Sequence, residues 1–311
     1  MYGCNNVSFA PYGGNWRRGK KIATVHLLSQ RLVESFAPVR AAEVATLVAR
    51  TRRSAEAGLA AELRELLYGY TNAVITRVAT GAAGATAERL KQLLGSSAAL
   101  MVGFQPEDVL SDDDMAEAWD KFMPELVAAH KEKGGDGAKE DEDFLDVLLR
   151  LREEVPQSSV QRGASAPPAS AAPRPARINN ASGRAGYEIP AKTALFVNVW
   201  AIGRDPAAWD TPDEFRPERF MGGSPPVDFR GTDYQFIPFG AGRRICPGIN
   251  FALPVLELAL VSLLRHFEWE LPDGMRPADL DMGEAPGLTT PRQVPLVLVP
   301  NCKTLVQAVL Q

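Results

Sequence analysis

The segment 236–248, with the sequence FIPFGAGRRICPG, constrains the fold of this chain more than any other stretch. It holds one cysteine, Cys246, and an apolar segment with helical character begins soon after it, at Phe251. The residues around the cysteine that disfavour a helix are Pro238, Gly240, Gly242, Pro247 and Gly248. The sequence therefore predicts a loop that places Cys246 just before a helix N-terminus, where unpaired backbone N–H groups and the helix dipole favour a thiolate.

The neighbours of Cys246 indicate a flat ligand that carries negative charge. Glycine lets the backbone pass close to a bulky planar group, where a Cβ atom would collide. Arg243 and Arg244 add cationic donors suited to a carboxylate. A thiolate, a bare backbone and arginine together suit a haem with a cysteine axial ligand. The alternative, from these residues alone, is a tight turn that places a buried free cysteine before a core helix.

The pattern Phe239-x-x-Gly242-x-Arg244-x-Cys246-x-Gly248 resembles the haem-binding loop of the cytochrome P450 family, the haem-thiolate monooxygenases. Three earlier segments are also similar to the family, and together with the cysteine loop they occur in the order in which the family has them. They are 16–17, 199–206 and 215–220. The resemblance is to plant microsomal members. It implies a mainly α-helical fold with small β-sheets, here an incomplete cytochrome P450 fold.

The same resemblance implies a cofactor, partners and a reaction. Haem would be bound through its iron by the Cys246 thiolate, with Phe239, Gly242, Arg244 and Gly248 lining the cofactor. One oxygen atom of O2 would be inserted into a small apolar organic substrate, with electrons from an NADPH-dependent P450 reductase. Members of the family are anchored on the cytosolic face of the endoplasmic reticulum, but this chain shows no N-terminal anchor.

Trp16 and Lys20 are candidate contacts to the haem propionates. They lie four residues apart and share one face of a predicted helix. The segment resembles the tryptophan-arginine-x-x-arginine motif of the family, with lysine at the last position, so this contact would be a point charge instead of a planar fork. The alternative is an exposed basic turn with one packing tryptophan.

Two features of the family have no counterpart in the sequence. The family places a long helix over the distal face of the haem, with an acid–threonine pair, followed by a helix with a glutamate-x-x-arginine pair. No glutamate of this chain has an arginine three residues later. Asp210-Thr211 runs into Pro212, and 232–233 lies in a predicted loop. No distal catalytic residue is therefore identified, and we expect Arg219, which would pair with that glutamate, to be unpaired or bound elsewhere.

The segment 155–186 separates two parts of different character. It is rich in Ala, Pro and Ser, carries four arginines and has no acidic residue, which is typical of a flexible linker. We expect a helical N-terminal part at 1–154, a linker at 155–186 in place of the distal and glutamate-x-x-arginine helices, and a haem-binding part at 187–311. A second hypothesis follows: a catalytically inactive, truncated fragment that binds haem weakly or not at all, because the sixth side of the iron would be open to water.

Composition excludes several other classes of protein. A net charge of −4 gives no reason to expect nucleic-acid binding. Three cysteines are too few for a disulfide framework, and three histidines without metal-site spacing make a histidine-based zinc site unlikely on sequence grounds. The apolar run 251–264 is interrupted by Pro254 and Glu257, and it is shorter than the roughly 18–20 residues of a membrane span.

Hydrophobic periodicity predicts the helices of both parts. Pro124 is expected to kink or delimit the amphipathic segment that contains it, and the helix after Phe251 is expected to be buried on all sides. The predicted helical ranges are 16–39, 43–53, 60–80, 144–151 and 251–267. A further amphipathic segment, with its apolar residues at 119–127, is expected to be capped by the acidic run 112–114.

Overall fold

The computed structural model describes residues 7–8, 10–81, 85–102, 112–133, 142–154, 176–177, 182–184, 186–191, 193–221, 227–285 and 291–304. Over these ranges the protein is mainly α-helical with short antiparallel strands, which confirms the predicted fold class. The helices are α1 (Gly14–Lys21), α2 (Gln30–Ser35), α3 (Ala37–Glu56), α4 (Leu63–Thr80), α5 (Ala85–Val102), α6 (Asp112–Lys133), α7 (Phe144–Glu154), α8 (Val199–Ile202) and α9 (Ile249–His266). The strands are β1 (Ala61–Glu62), β2 (Ala176–Arg177), β3 (Ser182–Arg184), β4 (Tyr187–Ile189), β5 (Ala194–Leu195), β6 (Phe267–Glu270) and β7 (Val297–Cys302).

The single helix predicted over 16–39 is wrong, because the helical backbone is interrupted at Leu28–Ser29 and again at Phe36. A π-helical turn, Ile22–Leu27, follows α1 directly. Leu28 then leaves the helical region, and Ser29 adopts an extended conformation from which its hydroxyl accepts a hydrogen bond from the backbone N–H of Leu32 at 3.4 Å. Because an N-cap residue has a non-helical backbone, Ser29 begins α2 as a new helix and does not continue the preceding helical turn.

The structure divides into two compact units, each assembled from separated stretches of the chain. Unit 1 comprises Met1–Gly3, Ser29–Ala172 and Phe251–Gln311, and unit 2 comprises Cys4–Leu28 and Pro173–Asn250.

The core of unit 1 is formed by α3, α4 and α9 with the strand that follows α9. The Tyr70 hydroxyl ties α4 to α9 by donating a hydrogen bond to the Val255 carbonyl at 3.2 Å. Strand β7 lies between β1 and β6, and all pairings are antiparallel. The buried core residues are Phe36, Val44, Leu47, Ala61, Leu66, Tyr70, Val74, Val78, Val255, Ala259, Leu263 and Phe267.

Helix α9 is not buried on all sides, so that prediction is wrong. Its buried face packs on α3 and α4, whereas Leu256, Leu260, Val261 and Leu264 are each more than half exposed. Pro254 lies within the helix and removes one backbone hydrogen bond from its interior. With a mean hydropathy of 1.4 over 18 residues, α9 has the length and composition of a membrane span; core helices of globular proteins can share both properties.

A second cluster in unit 1 joins α5, α6 and α7 through Leu90, Phe122, Leu126 and Leu145. Pro124 lies inside α6, which continues past it for nine residues, so the proline does not delimit the helix.

The start of α7 is held by two aspartates that cap each other. The backbone N–H of Asp146 donates to the Asp143 carboxylate at 2.9 Å, and the backbone N–H of Asp143 donates to the Asp146 carboxylate at 3.0 Å. His130 of α6 contacts Asp146 at 2.6 Å from its Nε2 atom. These contacts fix α7 against the C-terminal end of α6.

Unit 2 contains two short ladders, β2 with β5 and β3 with β4, and a set of loops around three aromatic rings. Trp209, Phe220 and Phe236 lie 5.1–6.1 Å apart by ring centroids. Strands β2 and β3 fall within the predicted linker 155–186, so this range has regular structure near its end. Residues 155–175 lie outside the described part of the chain.

Candidate functional site

The cysteine loop of unit 2 is closed by backbone hydrogen bonds. The N–H of Cys246 donates to the Phe239 carbonyl at 2.9 Å, and the N–H of Ile245 donates to the Gly242 carbonyl at 3.2 Å. The second contact closes a 3-10 turn over Gly242–Arg244. Cys246 is a free thiol, half-buried at the end of this loop, three residues before α9 begins at Ile249. The loop thus presents one sulfur on a constrained backbone.

Two glycines of the loop are needed for their backbone conformation. Gly240 has φ 72° and Gly242 has φ 64°, in the left-handed region where a Cβ atom is strained. A Cβ atom at either position would have no neighbour within 4 Å, so both glycines face open space. A Cβ atom at Gly248 would lie 3.7 Å from the Cys246 sulfur, which is ordinary contact. Backbone geometry therefore explains Gly240 and Gly242, whereas a Cβ atom at Gly248 would fit beside the sulfur.

Helix α1 lies against the cysteine loop. The Lys20 ammonium donates a hydrogen bond to the carbonyl of Ile245. The Arg244 guanidinium lies 4.9 Å from the centre of the Trp16 ring and donates to the Ala10 carbonyl at 2.7 Å. The structure therefore brings Trp16, Lys20 and Arg244 together beside the cysteine loop, although they come from opposite ends of the sequence.

The donors of this cluster are engaged with the backbone. The Trp16 indole N–H donates to the carbonyl of Val7 at 2.9 Å, and the ring is buried. Partial burial lowers the pKa of Lys20, and the nearby Cys246 sulfur acts in the opposite direction. Lys20 is thus close enough to Cys246 for their charges to interact, and its ammonium donates to the carbonyl of Ile245, the residue before Cys246.

Tyr12 belongs to the cluster and was missed by sequence reasoning. Arg243 donates to the Tyr12 hydroxyl at 3.2 Å and lies 4.9 Å from the ring centre, and Arg17 lies 5.7 Å from the same centre. The Arg243 hydrogen bond lowers the pKa of Tyr12. Tyr12 lies before the first residue of α1, so helical spacing in the sequence gave no signal for it.

Gly231 is a second residue that sequence reasoning missed. It has φ 85°, and a Cβ atom there would lie 2.9 Å from the Gly240 carbonyl oxygen. Only glycine allows this part of unit 2 to pack against the cysteine loop.

The residues of this cluster fit the chemistry of haem. The thiol lies on a loop that carries Arg243 and Arg244 and that Lys20 contacts at the Ile245 carbonyl, and Arg17 lies with Arg243 against the Tyr12 ring. These four cations suit the two carboxylates of the cofactor. Phe239 supports the loop through its carbonyl. The other cysteines are placed differently: Cys302 is exposed on β7, and Cys4 lies outside the described residues.

Arg219 is bound elsewhere, which was one of the two expected outcomes. Its guanidinium donates to four backbone carbonyls at 2.8–3.1 Å, those of Asp210, Thr211, Glu214 and Arg216. Asp210 and Thr211 also hold Arg216 through their side chains at 3.0 Å. This acid–threonine pair therefore organises a loop and is occupied by an arginine.

One group of side chains in unit 1 has the composition of a metal site. His130, Asp143 and Asp146 offer ligand atoms within 4.8 Å of one another, which the sequence spacing did not indicate. The hydrogen bonds at the start of α7 account for all three side chains. We assign them a structural role in joining α6 to α7.

Comparison with known proteins adds a family to this geometry. The family model described as "Cytochrome P450" matches residues 173–299. The chain is 31% identical over 393 residues to "Cytochrome P450 71D8" of Glycine max, covering 97% of this chain and 77% of that protein. It is 32% identical to "Cytochrome P450 71A1" of Persea americana, covering 96% and 78%. It is 33% identical to "3-hydroxyindolin-2-one monooxygenase" of Zea mays, covering 96% and 73%.

Proposed function

Because the chain belongs to the cytochrome P450 family, whose members bind haem through a cysteine thiolate and act as monooxygenases, we propose that it holds haem through Cys246. The observation that carries the proposal is the constrained loop that presents this sulfur, together with the cations Lys20 and Arg244 that hold the loop against α1 and the segment before it. The reaction class is oxidation of a small apolar organic molecule by insertion of one oxygen atom of O2. An NADPH-dependent P450 reductase supplies the electrons.

Each residue of the cluster has a defined task in this proposal. The Cys246 sulfur ligates the iron, and the thiolate supplies electron density that favours O–O cleavage when haem is bound. Gly242 and Gly248 shape the backbone around the ligand, and Phe239 anchors the loop. Trp16, Lys20 and Arg244 exchange their backbone acceptors for the propionates, which accept stronger charge-assisted hydrogen bonds than a carbonyl does.

A second candidate function is an inactive fragment with weak or no haem binding. The alignment with the Glycine max protein spans 393 residues, whereas this chain has 311, so the relative has residues at positions where this chain has none. Together with the missing glutamate-x-x-arginine pair, this supports a segment 155–186 that stands in place of the distal helices, between a helical part at 1–154 and a haem-binding part at 187–311. Without a distal helix, less of the haem would be shielded from water.

The difference spectrum of the reduced protein with and without carbon monoxide separates these functions. The full chain is purified, supplied with haemin, reduced with dithionite and exposed to carbon monoxide. A Soret band at the thiolate-ligated position supports the haem-thiolate site, and product formation with a reductase and NADPH then supports the monooxygenase. Absence of haem uptake overturns the monooxygenase and leaves the inactive fragment.

A further inference from the structure

A cavity in unit 1, remote in sequence from the cysteine loop, is lined by buried polar groups that have no partner. It lies between α3, α4 and α5 and has a volume of about 320 Å³, at the lower end of the range for small-molecule sites, roughly 300–1,000 Å³. Its wall includes Asn72 and Thr76, which lie one helical turn apart on α4. A cavity with this size and lining can accommodate a small organic molecule.

Asn72 and Thr76 are buried without a hydrogen bond. Asn72 is 7% exposed and Thr76 is 2% exposed, and neither the Asn72 amide nitrogen nor the Thr76 hydroxyl has a partner among the described residues. Leaving a buried polar group unpaired is unfavourable. Two such groups on one wall of the same cavity therefore indicate that a ligand supplies the missing partners.

Thr76 differs from the neighbouring threonines of the same fold. The hydroxyls of Thr51, Thr71 and Thr80 each donate to the carbonyl four residues earlier, at 3.0, 3.0 and 2.8 Å. This is the usual way in which a helical threonine satisfies its own hydroxyl. Thr76 is one of the residues that line the cavity, and its hydroxyl makes no such contact.

Charge at the mouth of the cavity determines which ligand fits. Arg77 pairs with Glu43 at 2.6 Å, and Lys91 pairs with Glu88 at 3.4 Å. Arg50 is exposed at the mouth, and no described carboxylate lies within 4 Å of its guanidinium. It passes over Gly69, where a Cβ atom would lie 3.1 Å from the guanidinium nitrogen. The lining therefore carries one positive charge in excess.

We propose that this cavity binds a small organic carboxylate that carries a second hydrogen-bonding group, such as a hydroxy acid. Arg50 pairs with the carboxylate at the mouth, and Asn72 and Thr76 bind the second polar group inside. A single negative charge balances the excess charge of the lining, and the hydroxyl of the ligand satisfies both buried groups.

The proposal is tested on the full chain by thermal unfolding and by titration calorimetry. Lactate, mandelate and salicylate are the probes, and sodium chloride at equal ionic strength is the blank. We expect saturable stabilisation of the wild type by at least one acid. Arg50→Gln, at an exposed position, weakens binding about ten-fold or more, because a charged hydrogen bond is lost. Thr76→Val weakens binding several-fold and raises the unfolding temperature in the absence of the acid. Thr71→Val is the matched control and leaves binding unchanged.

Two results would overturn the proposal. One is that none of the three acids gives saturable stabilisation beyond the salt blank. The other is that Arg50→Gln and Thr76→Val bind the acid as tightly as the wild type. Neither measurement requires haem, so the outcome is independent of the function proposed for the cysteine loop.

Discussion

The guanidinium of Arg244 lies over the indole ring of Trp16, 4.9 Å from its centre. The same guanidinium donates to the carbonyl of Ala10 at 2.7 Å, so one side chain of the cysteine loop holds both α1 and the segment before it. This contact explains how Ala10 and α1 come to share unit 2 with the segment around Cys246. Arg244 therefore has a structural role in the haem-free protein, in addition to the contact proposed with a haem propionate.

Arg244→Ala is expected to reduce the free energy of unfolding by roughly 1–2 kcal/mol, because it removes a cation–π contact and a charged hydrogen bond. Arg244→Lys should recover only part, since an ammonium does not stack on the ring as a guanidinium does. Urea unfolding of the haem-free protein measures this loss. Arg31→Ala, at an exposed arginine of α2, is the control and should change stability by less than about 0.5 kcal/mol. Equal losses for both alanine variants would contradict the structural role.

Cys246→Ser is expected to abolish the thiolate-type spectrum completely, because the serine oxygen does not replace the sulfur as the axial ligand. Cys302→Ser removes an exposed thiol of unit 1 and should leave the spectrum intact, and Cys4→Ser should do the same. The measurement is the carbon monoxide difference spectrum of the reduced protein. If Cys4 or Cys302 proves essential instead, the assignment of the ligand is wrong.

The cysteine loop could be predicted from the sequence because its defining residues lie close together in the chain. Contacts between distant segments could not be predicted in this way. The glycines, the prolines and Cys246 all lie within thirteen residues, so their spacing predicts the turn and its thiol. Tyr12 gains its role from Arg243, which lies 231 residues later in the chain, and from Arg17. The exposed face of α9 was missed for a related reason: periodicity shows that a helix is apolar, but which face is covered depends on the helices that pack against it.

Lys20→Arg is expected to retain haem at least as well as the wild type, because a guanidinium supplies a planar fork for a propionate. Lys20→Met should release haem about ten-fold faster, since it removes a charge-assisted hydrogen bond. The rate of haem transfer to excess apomyoglobin measures this. Lys21→Met changes the exposed neighbouring lysine and should leave the rate unchanged. The same rate for Lys20→Met as for Lys21→Met would argue against a propionate contact at Lys20.

Arg219→Lys is expected to destabilise the protein by about 1–2 kcal/mol, nearly as much as Arg219→Met. One ammonium cannot reproduce the planar geometry that lets a guanidinium reach the carbonyls of Asp210, Thr211, Glu214 and Arg216 together. Urea unfolding measures the loss. Arg216→Lys is the matched control, because Arg216 makes exposed side-chain contacts to Asp210 and Thr211 that a lysine can partly replace. Full recovery by Arg219→Lys would show that charge alone matters at this position.

Asp143 should make the free energy of unfolding fall as the pH rises from about 4 to about 6. Burial raises the pKa of Asp143 to about 6, against the lowering effect of the hydrogen bond from the Asp146 backbone. The folded protein therefore holds this proton more tightly than the unfolded chain, and the resulting stabilisation, at most about 3 kcal/mol, is complete below pH 4 and lost by about pH 6.

Burial also tends to raise the pKa of Asp146, but hydrogen bonds from His130 and Asp143 outweigh it and lower the pKa. Asp143→Asn should remove the decline, whereas Asp146→Asn should remove stability above about pH 4. Urea unfolding at pH 4, 5, 6 and 7 measures both, and a wild-type minus Asp143→Asn difference that does not fall with rising pH would refute this role for Asp143.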